Sequence, residues 1–257
     1  MRRLVATLFA TSLCIAAGSD AVAASKSAAV DAKRLREAQA KEPGQWLSHG
    51  RDYSEQRFSP LRRINADNVN QLGLAWYSDL DTRRGQESTP IVVDGKMFVT
   101  TAWSKLYAFD AKTGEELWKF DPQVPGDWAV NACCDVVNRG AAVWKGKVIY
   151  GTIDGRLIAL NANNGEVVWQ VQATDKNEAL SITGAPRIAD GRVFIGEAGS
   201  EFHQRGYMTA FDAETGKELW RINLGGTMAS NPMTYSVNGK QMVVMPAGSG
   251  IFAFSLP

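Results

Sequence analysis

The densest group of reactive side chains in this 257-residue chain begins at two adjacent cysteines, Cys133 and Cys134. Adjacent cysteines either close a small, strained ring that fixes the local backbone or remain a pair of thiols. Shortly after them, Arg139 stands in an Asn-Arg-Gly sequence. A guanidinium binds a carboxylate through a rigid two-pronged fork, so Arg139 either serves a bound anion or forms a structural ion pair with Asp135.

Three more short motifs carry oxygen atoms or charge next to turn residues. They are Glu87 in Gln-Glu-Ser-Thr-Pro, Thr183 in Ile-Thr-Gly-Ala-Pro, and Glu201 directly after Gly199 and Ser200. A carboxylate is a suitable ligand for a hard cation such as Ca²⁺. Each residue also has a structural interpretation: Glu87 as a solvated carboxylate, Thr183 as a strand-turn residue, and Glu201 as an exposed loop charge.

Composition argues against several other chemistries. His49 and His203 are the only histidines, which disfavours a histidine-based metal cluster and a Ser-His-Asp triad. No Cys-x-x-Cys-His sequence is present, so a covalently attached c-type haem is not expected. Without residues 1–23, Lys+Arg falls from 28 to 26 and Asp+Glu from 27 to 26. This balance provides no basic field for nucleic acid and favours a small-molecule or protein partner.

A repeat places these motifs on a scaffold. The sequences LYAFDAKTGEELWKF, LIALNANNGEVVWQV and MTAFDAETGKELWRI recur with a constant spacing between Trp118, Trp169 and Trp220. Alternating apolar residues predict half-buried strands, and each Asp/Asn-containing turn with Gly predicts a hairpin. A further strand pair with a Gly turn precedes each copy, so each unit supplies about four strands. We therefore predict an all-β propeller of four-stranded blades with about four blades.

The chain divides into three predicted parts. Residues 1–23 read as a cleaved signal peptide, with Arg2 and Arg3 before a short apolar stretch, which predicts export to a bacterial periplasm. Residues 24–70 form an N-terminal helix, from Ser27 to Lys41, and a cover segment. Residues 71–257 form the propeller, with blades at about 86–120, 136–171, 181–222 and 229–257. A strand at 71–80, carrying Trp76, is expected to complete the last blade and close the ring.

The residues from Trp46 to Arg221, and the later NPMTYSVNGKQMVVMPAG, resemble PQQ-dependent (quinoprotein) alcohol dehydrogenases. The most specific element is ACCDVVNRG. The resemblance implies that Glu87 and Arg139 contact pyrroloquinoline quinone (PQQ), and that Cys133 and Cys134 form a vicinal disulfide against its flat ring. It further assigns Thr183, Gly199 and Ser200 to the cofactor pocket and Glu201 to Ca²⁺, although the family usually has Ala where Ser200 stands.

The chain departs from the family in length. The family usually has eight blades, and the blades missing here should carry a stacking tryptophan, an asparagine calcium ligand and the aspartate proposed as catalytic base. No catalytic residue is therefore assigned. The resemblance implies alcohol oxidation in the periplasm with electrons passing to a separate carrier such as cytochrome c. The alternatives are a non-catalytic propeller scaffold and an internally deleted product that folds poorly or only with another chain.

Overall fold

The structure is a computed structural model that describes residues 27–132, 134–199, 202, 204–226 and 233–256. Its strands form four antiparallel sheets in chain order, which confirms the predicted all-β propeller architecture with about four blades. The first sheet contains β1 (Ile91–Val93), β2 (Lys96–Thr100), β3 (Leu106–Asp110) and β4 (Glu116–Phe120). The second contains β5 (Ala142–Trp144), β6 (Lys147–Gly151), β7 (Arg156–Asn161) and β8 (Val167–Gln172).

The third sheet contains β9 (Arg187–Ala189), β10 (Arg192–Gly196), β11 (Tyr207–Asp212) and β12 (Glu218–Asn223). The fourth has three strands among the described residues: β13 (Met233–Val237), β14 (Lys240–Ala247) and β15 (Gly250–Phe254). Every sheet is a simple up-and-down meander, in which each strand pairs with the next along the chain.

The repeated turn owes its shape to its acidic or amide residue and its glycine. In the first sheet the Asp110 carboxylate accepts the backbone N–H groups of Lys112 and Thr113 at 2.9 and 2.8 Å. Gly114 then adopts a positive φ of 77°, which a residue with a Cβ adopts only with strain. The same turn recurs in the third sheet with Asp212 and Gly216.

The tryptophans of the first and second outer strands, Trp118 on β4 and Trp169 on β8, each pack against the following sheet. A Cβ added to Gly165 would lie 2.6 Å from the Trp118 ring, and one added to Gly216 would lie 2.7 Å from the Trp169 ring. The indole N–H of Trp118 also donates to the Ala162 carbonyl at 3.4 Å, and that of Trp169 donates to the Ala213 carbonyl at 3.3 Å. Each tryptophan therefore fills the space left by a glycine of the next sheet.

The predicted N-terminal helix begins at Ala32 instead of Ser27, as α1 (Ala32–Lys41), because the Asp31 carboxylate caps it there by accepting the Arg34 N–H at 2.8 Å. Its apolar face joins the main core through buried Leu35 and Ala38. The Arg34 guanidinium binds Asp94 in the β1–β2 turn at 2.6 Å, which fixes the helix against the turn end of the first sheet. No helix among the described residues has the length and apolarity needed to cross a membrane.

The predicted closing strand does not form. Residues 72–80 adopt no strand and pair with no described strand, so the fourth sheet stays three-stranded. Trp76 instead packs on Gly114 of the first sheet, as Trp118 packs on Gly165 and Trp169 on Gly216. The local pattern thus directs Trp76 to the next sheet along the chain, while the pairing of its backbone with β15 is absent.

Candidate functional site

Three loops, one from each of the first three sheets, meet just before their first strands. The Thr89 N–H donates to the Arg139 carbonyl at 3.1 Å, and the Arg139 N–H donates to the Thr183 carbonyl at 2.9 Å. These bonds join segments that lie far apart in sequence. They bring together the motifs of Glu87, Arg139 and Thr183, which the sequence predicted to share one site.

The side chains of the three motifs also converge. Arg139 forms an ion pair with Glu87 at 2.8 Å and donates to the Thr183 hydroxyl at 2.8 Å. The Arg139 and Glu87 side chains remain 39% and 42% exposed, so both polar ends are accessible from solvent. A partly exposed guanidinium with a fixed orientation can bind an incoming carboxylate, and the hydroxyl of Thr183 offers a further donor beside it.

The residues on either side of Arg139 fix its backbone. Asn138 is buried, donates to the Gly151 carbonyl at 2.7 Å and accepts the Gly140 N–H at 3.1 Å. Gly140 has a φ of 137°, and an added Cβ would lie 3.2 Å from the Thr89 carbonyl oxygen. The Asn-Arg-Gly motif therefore combines a buried anchor, a projecting cation and a glycine that allows two loops to approach closely.

Asp135 does not pair with Arg139. Its carboxylate binds Arg84, whose guanidinium lies 5.8 Å from the centre of the Trp103 ring. The backbone N–H of Trp103 donates to the Val136 carbonyl at 2.9 Å, so Trp103, whose side chain is half-buried, lies beside the segment that follows Cys134. The structural interpretation of Arg139 as a partner of Asp135 was wrong, and Trp103 was missed because nothing in the local sequence marks it.

The remaining predicted site residues are only partly described. Cys134 is exposed, and Cys133 lies outside the described residues, as do Ser200 and Glu201, so the vicinal disulfide and the metal ligand stay predictions. Gly199 is buried with a φ of 140°, beside Ala198, which forms a backbone bridge with Ser181, close in sequence to Thr183. In the described part of the chain, no three His, Cys, Asp or Glu side chains cluster as metal ligands would.

Glu197 is a buried carboxyl group that sequence reasoning missed. It directly follows β10 in the chain and is 8% exposed. One carboxyl oxygen accepts the Tyr207 N–H at 3.3 Å, and the other, Oε1, is buried without a hydrogen-bond partner. Burial raises its pKa to about 9, because the charged form loses its hydration. Glu197 is therefore protonated at neutral pH.

The cover segment crosses the inner edges of the first and third sheets. Trp46 pairs with Val92 through two backbone hydrogen bonds of 2.8 and 3.0 Å, on the edge of β1 that β2 leaves open. The His49 ring lies 3.0 Å from the Arg187 guanidinium and 3.4 Å from the Thr89 hydroxyl. Glu55 binds Arg187 at 2.8 Å, which completes the link between the two sheets.

The environment of His49 predicts an unusual titration. Burial, followed by the positive charges of Arg187 and Arg57, lowers its pKa to about 4. The folded chain therefore resists protonation of this ring, and the resulting contribution to stability is lost as the pH falls from about 6.5 toward 4. We expect an imidazole NMR resonance with a midpoint near pH 4 that disappears in His49→Gln. A midpoint near 6.5 for that resonance would contradict the buried, cation-flanked position.

Two clefts lie beside the N-terminal part of the described chain. The smaller, of about 290 Å³, is lined by Trp46, Arg57, Thr89, Pro90 and Val92, between the cover segment and β1. The larger, of about 560 Å³, lies beside α1, between the β5–β6 and β9–β10 turns. Glu214 in the larger cleft is paired with Lys145 at 3.1 Å. The larger cleft therefore contains none of the predicted site residues.

Comparison with known proteins gives a consistent result. Residues 46–172 and 167–243 match the sequence profile of the PQQ family described as "Glucose/ethanol/alcohol dehydrogenase, beta-propeller domain". The dehydrogenase subunit of a quinone alcohol dehydrogenase from Komagataeibacter europaeus is 59% identical over 186 residues, covering 70% of this chain and 25% of the relative. The chain thus spans about a quarter of the length of this relative.

Solved structures agree with the sequence match. Quinohemoprotein alcohol dehydrogenase ADHIIG from Pseudomonas putida HK5 superposes with a TM-score of 0.77 at 51% identity, over 84% of this chain and 31% of that one. A europium-containing methanol dehydrogenase gives a TM-score of 0.72 at 38% identity, over 76% of this chain and 34% of that one. In both cases the chain resembles about a third of a longer protein.

Proposed function

The chain belongs to the PQQ family of glucose, ethanol and alcohol dehydrogenase β-propellers, and from this premise we propose that it binds PQQ at the Glu87–Arg139–Thr183 site for the oxidation of alcohols. The observation that carries the proposal is the convergence of these three side chains from three separate sheets. None of the three needs the others for the hairpin repeat to form, since the repeat is set by its turns and tryptophans. A shared ligand accounts for their meeting.

The residues present fit one side of the cofactor. PQQ is a planar tricarboxylate, and Arg139 offers it a partly exposed fork whose backbone is fixed by Asn138 and Gly140. Thr183 offers a hydroxyl, and Glu87 holds the guanidinium in place from the other side. We propose that Cys133 and Cys134 supply a flat, apolar wall beside the ring. Gly199 and Ser200 would border the same pocket.

We assign the metal to Glu201, with Ca²⁺ as the expected ion. Bound PQQ would supply the electron acceptor for alcohol oxidation, and the metal would supply a Lewis acid. The chain's own contribution is to orient the cofactor through Arg139 and Thr183 and to neutralise its carboxylate charge. We assign no residue of this chain as the general base.

The N-terminal residues and the family resemblance support a cellular setting for this activity. Residues 1–23 support export to the periplasm, where an adjacent-cysteine disulfide can persist. From the family resemblance we propose that electrons pass to a carrier such as a cytochrome c. The substrate class that fits the family is a small primary alcohol.

The test is titration of the purified protein with PQQ and Ca²⁺, with bound PQQ per chain measured after desalting and dye-linked ethanol oxidation measured on the same sample. Stoichiometric retention is expected. Turnover in that sample would show that the chain assembles a working dehydrogenase site. Absence of retention by a folded sample would contradict the proposal and favour a non-catalytic propeller scaffold.

The most direct variant is Arg139→Lys. Lysine keeps the positive charge but loses the two-pronged fork, and a charge-assisted hydrogen bond contributes about 1.5–3 kcal/mol. We therefore expect PQQ affinity to fall roughly tenfold or more, as measured by quenching of tryptophan fluorescence. The matched control is Arg192→Lys, which lies at the start of β10 beside the β9–β10 turn and pairs with Asp190 at 3.6 Å. Equal loss in both variants would exclude a specific role for Arg139.

A further inference from the structure

The third sheet closes the connection between its second and third strands with a side chain. In the second sheet the corresponding connection is a tight turn, closed by a backbone hydrogen bond from the Thr152 N–H to the Arg156 carbonyl at 2.9 Å. In the third sheet the connection spans residues 197–206, between β10 and β11. There the Glu197 Oε2 atom accepts the Tyr207 N–H at 3.3 Å. This bond, the Glu197 clamp, joins the two ends of a longer segment.

We propose that Glu197 is a positioning residue for the cofactor site: its neutral carboxyl group holds the ends of residues 197–206 together and thereby fixes Gly199 beside the segment that leads to Thr183. The part of this proposal that concerns PQQ rests on the proposed function. The Glu197 clamp itself is a property of the folded chain and can be tested without the cofactor.

The backbone that follows Glu197 packs closely against the segment that leads to Thr183. Ala198 and Ser181 exchange two backbone hydrogen bonds, at 2.8 and 2.9 Å. A Cβ added to Gly199 would lie 2.4 Å from the Ala179 carbonyl oxygen, so no side chain fits between the two backbones. A change in the position of residue 197 is therefore transmitted to the backbone two residues before Thr183.

The surroundings of Glu197 favour its neutral form. The side chain is buried, and its Oε1 atom has no hydrogen-bond partner in the described part of the chain. The titratable groups that face it are Tyr207 on β11, and Arg221 and Glu218 on β12. Arg221 already binds Glu218 at 2.7 Å, and Glu178, in the segment before β9, adds a negative charge near Tyr207. Burial thus outweighs the attraction of the one nearby cation.

Opening of the Glu197 clamp is coupled to release of a proton. The pKa of Glu197 is about 9 while the carboxyl group is buried, and its usual value is 4.5. Between these two pH values, each pH unit favours the opened, solvated form by up to about tenfold. Glutamine keeps a carbonyl oxygen that can accept the Tyr207 N–H, and it has no proton to release. Glu197→Gln is therefore expected to stay closed over this pH range.

The experiment uses trypsin, because exposed Arg205 lies within the connection. The rate of cleavage after Arg205 is measured by mass spectrometry at pH 7 and pH 9, for the wild type and for Glu197→Gln at the same pH, so that the pH dependence of trypsin cancels. Between the two pH values we expect the rate for the wild type to rise at least about tenfold relative to that for Glu197→Gln. Cleavage after Arg156, at the start of β7, reports global unfolding and should remain slow.

Two further variants separate the clamp from general charge effects. Glu197→Ala lacks the acceptor for the Tyr207 N–H, and its cleavage after Arg205 at pH 7 should be faster than that of Glu197→Gln. The matched control, Glu178→Gln, removes an exposed negative charge nearby and should keep the pH dependence of the wild type. The same pH dependence in the wild type and Glu197→Gln, or equal acceleration after Arg156 and Arg205, would overturn the proposal.

Binding of PQQ provides the readout for the cofactor site. Quenching of tryptophan fluorescence is measured for the wild type and Glu197→Gln at the same two pH values. We expect the affinity of the wild type for PQQ to fall between pH 7 and pH 9 relative to that of Glu197→Gln. A constant ratio of the two affinities would overturn the positioning role. If neither protein binds PQQ at pH 7, the proposed function fails, and the trypsin result still decides whether Glu197 holds the connection closed.

Discussion

Trp169→Ala is expected to destabilise the protein by about 3–5 kcal/mol, the usual cost of removing a packed tryptophan. The ring fills the space above Gly216 and donates its N–H to the Ala213 carbonyl at 3.3 Å, so its loss leaves both a cavity and an unpaired carbonyl between the second and third sheets. Urea unfolding followed by circular dichroism measures the change in the free energy of unfolding.

Trp220→Ala provides the matched comparison. Trp220 stands at the same position of the repeat, but it is 41% exposed and no described glycine turn packs against it. We expect its replacement to cost roughly 1 kcal/mol or less in the single chain, because little buried surface is lost. If the two substitutions lowered the free energy of unfolding equally, the stability of the protein would not depend on tryptophan packing against glycine turns.

Glu197→Gln is expected to stabilise the protein at pH 8 by several kcal/mol, with an upper bound of about 5 kcal/mol. The pKa of Glu197 is raised to about 9 in the folded chain, whereas its usual value is 4.5. Between these pH values the folded carboxyl keeps its proton and the unfolded one loses it, so the free energy of unfolding falls by about 1.4 kcal/mol per pH unit. Glutamine carries no proton to lose and removes this dependence.

The comparison must be made at two pH values. At pH 4 both forms of the chain hold the proton on Glu197, and the substitution should change the free energy of unfolding little. Glu115→Gln serves as the control, because Glu115 is exposed in a hairpin turn and its replacement should have a small effect at either pH. A gain of equal size at pH 4 and pH 8 would indicate that packing, rather than the buried proton, causes the stabilisation.

The repeating part of the fold could be predicted because its determinants are local. The Asp110 turn, Gly114 and Trp118 lie within a few residues of one another, and each copy repeats their order. The closing strand could not be predicted in the same way. Trp76 has the local features of an outer strand, but whether its backbone pairs with β15 depends on the curvature accumulated over four sheets, which no short motif encodes.

The meeting of three predicted site residues could be foreseen from the sequence, but their pairing with neighbours could not. Glu87, Arg139 and Thr183 meet as expected, whereas Asp135, which has a positive φ of 73°, binds Arg84 instead of Arg139. Glu197 and the link from His49 to Arg187 left no trace in the sequence pattern. A buried carboxyl and a shielded imidazole are defined by the residues that surround them, and those residues come from distant parts of the chain.

The link between His49 and Arg187 has a consequence for how the protein reaches its native state. The two residues are 138 positions apart, so an early segment of the chain binds a strand that is synthesised much later. Closing so long a loop costs entropy and slows folding, and it cannot occur until Arg187, at the start of β9, has been synthesised. The first two sheets are able to form in the order of synthesis, but the cover segment can bind Arg187 only later. A chain truncated before Arg187 would leave this segment loose and vulnerable to proteases.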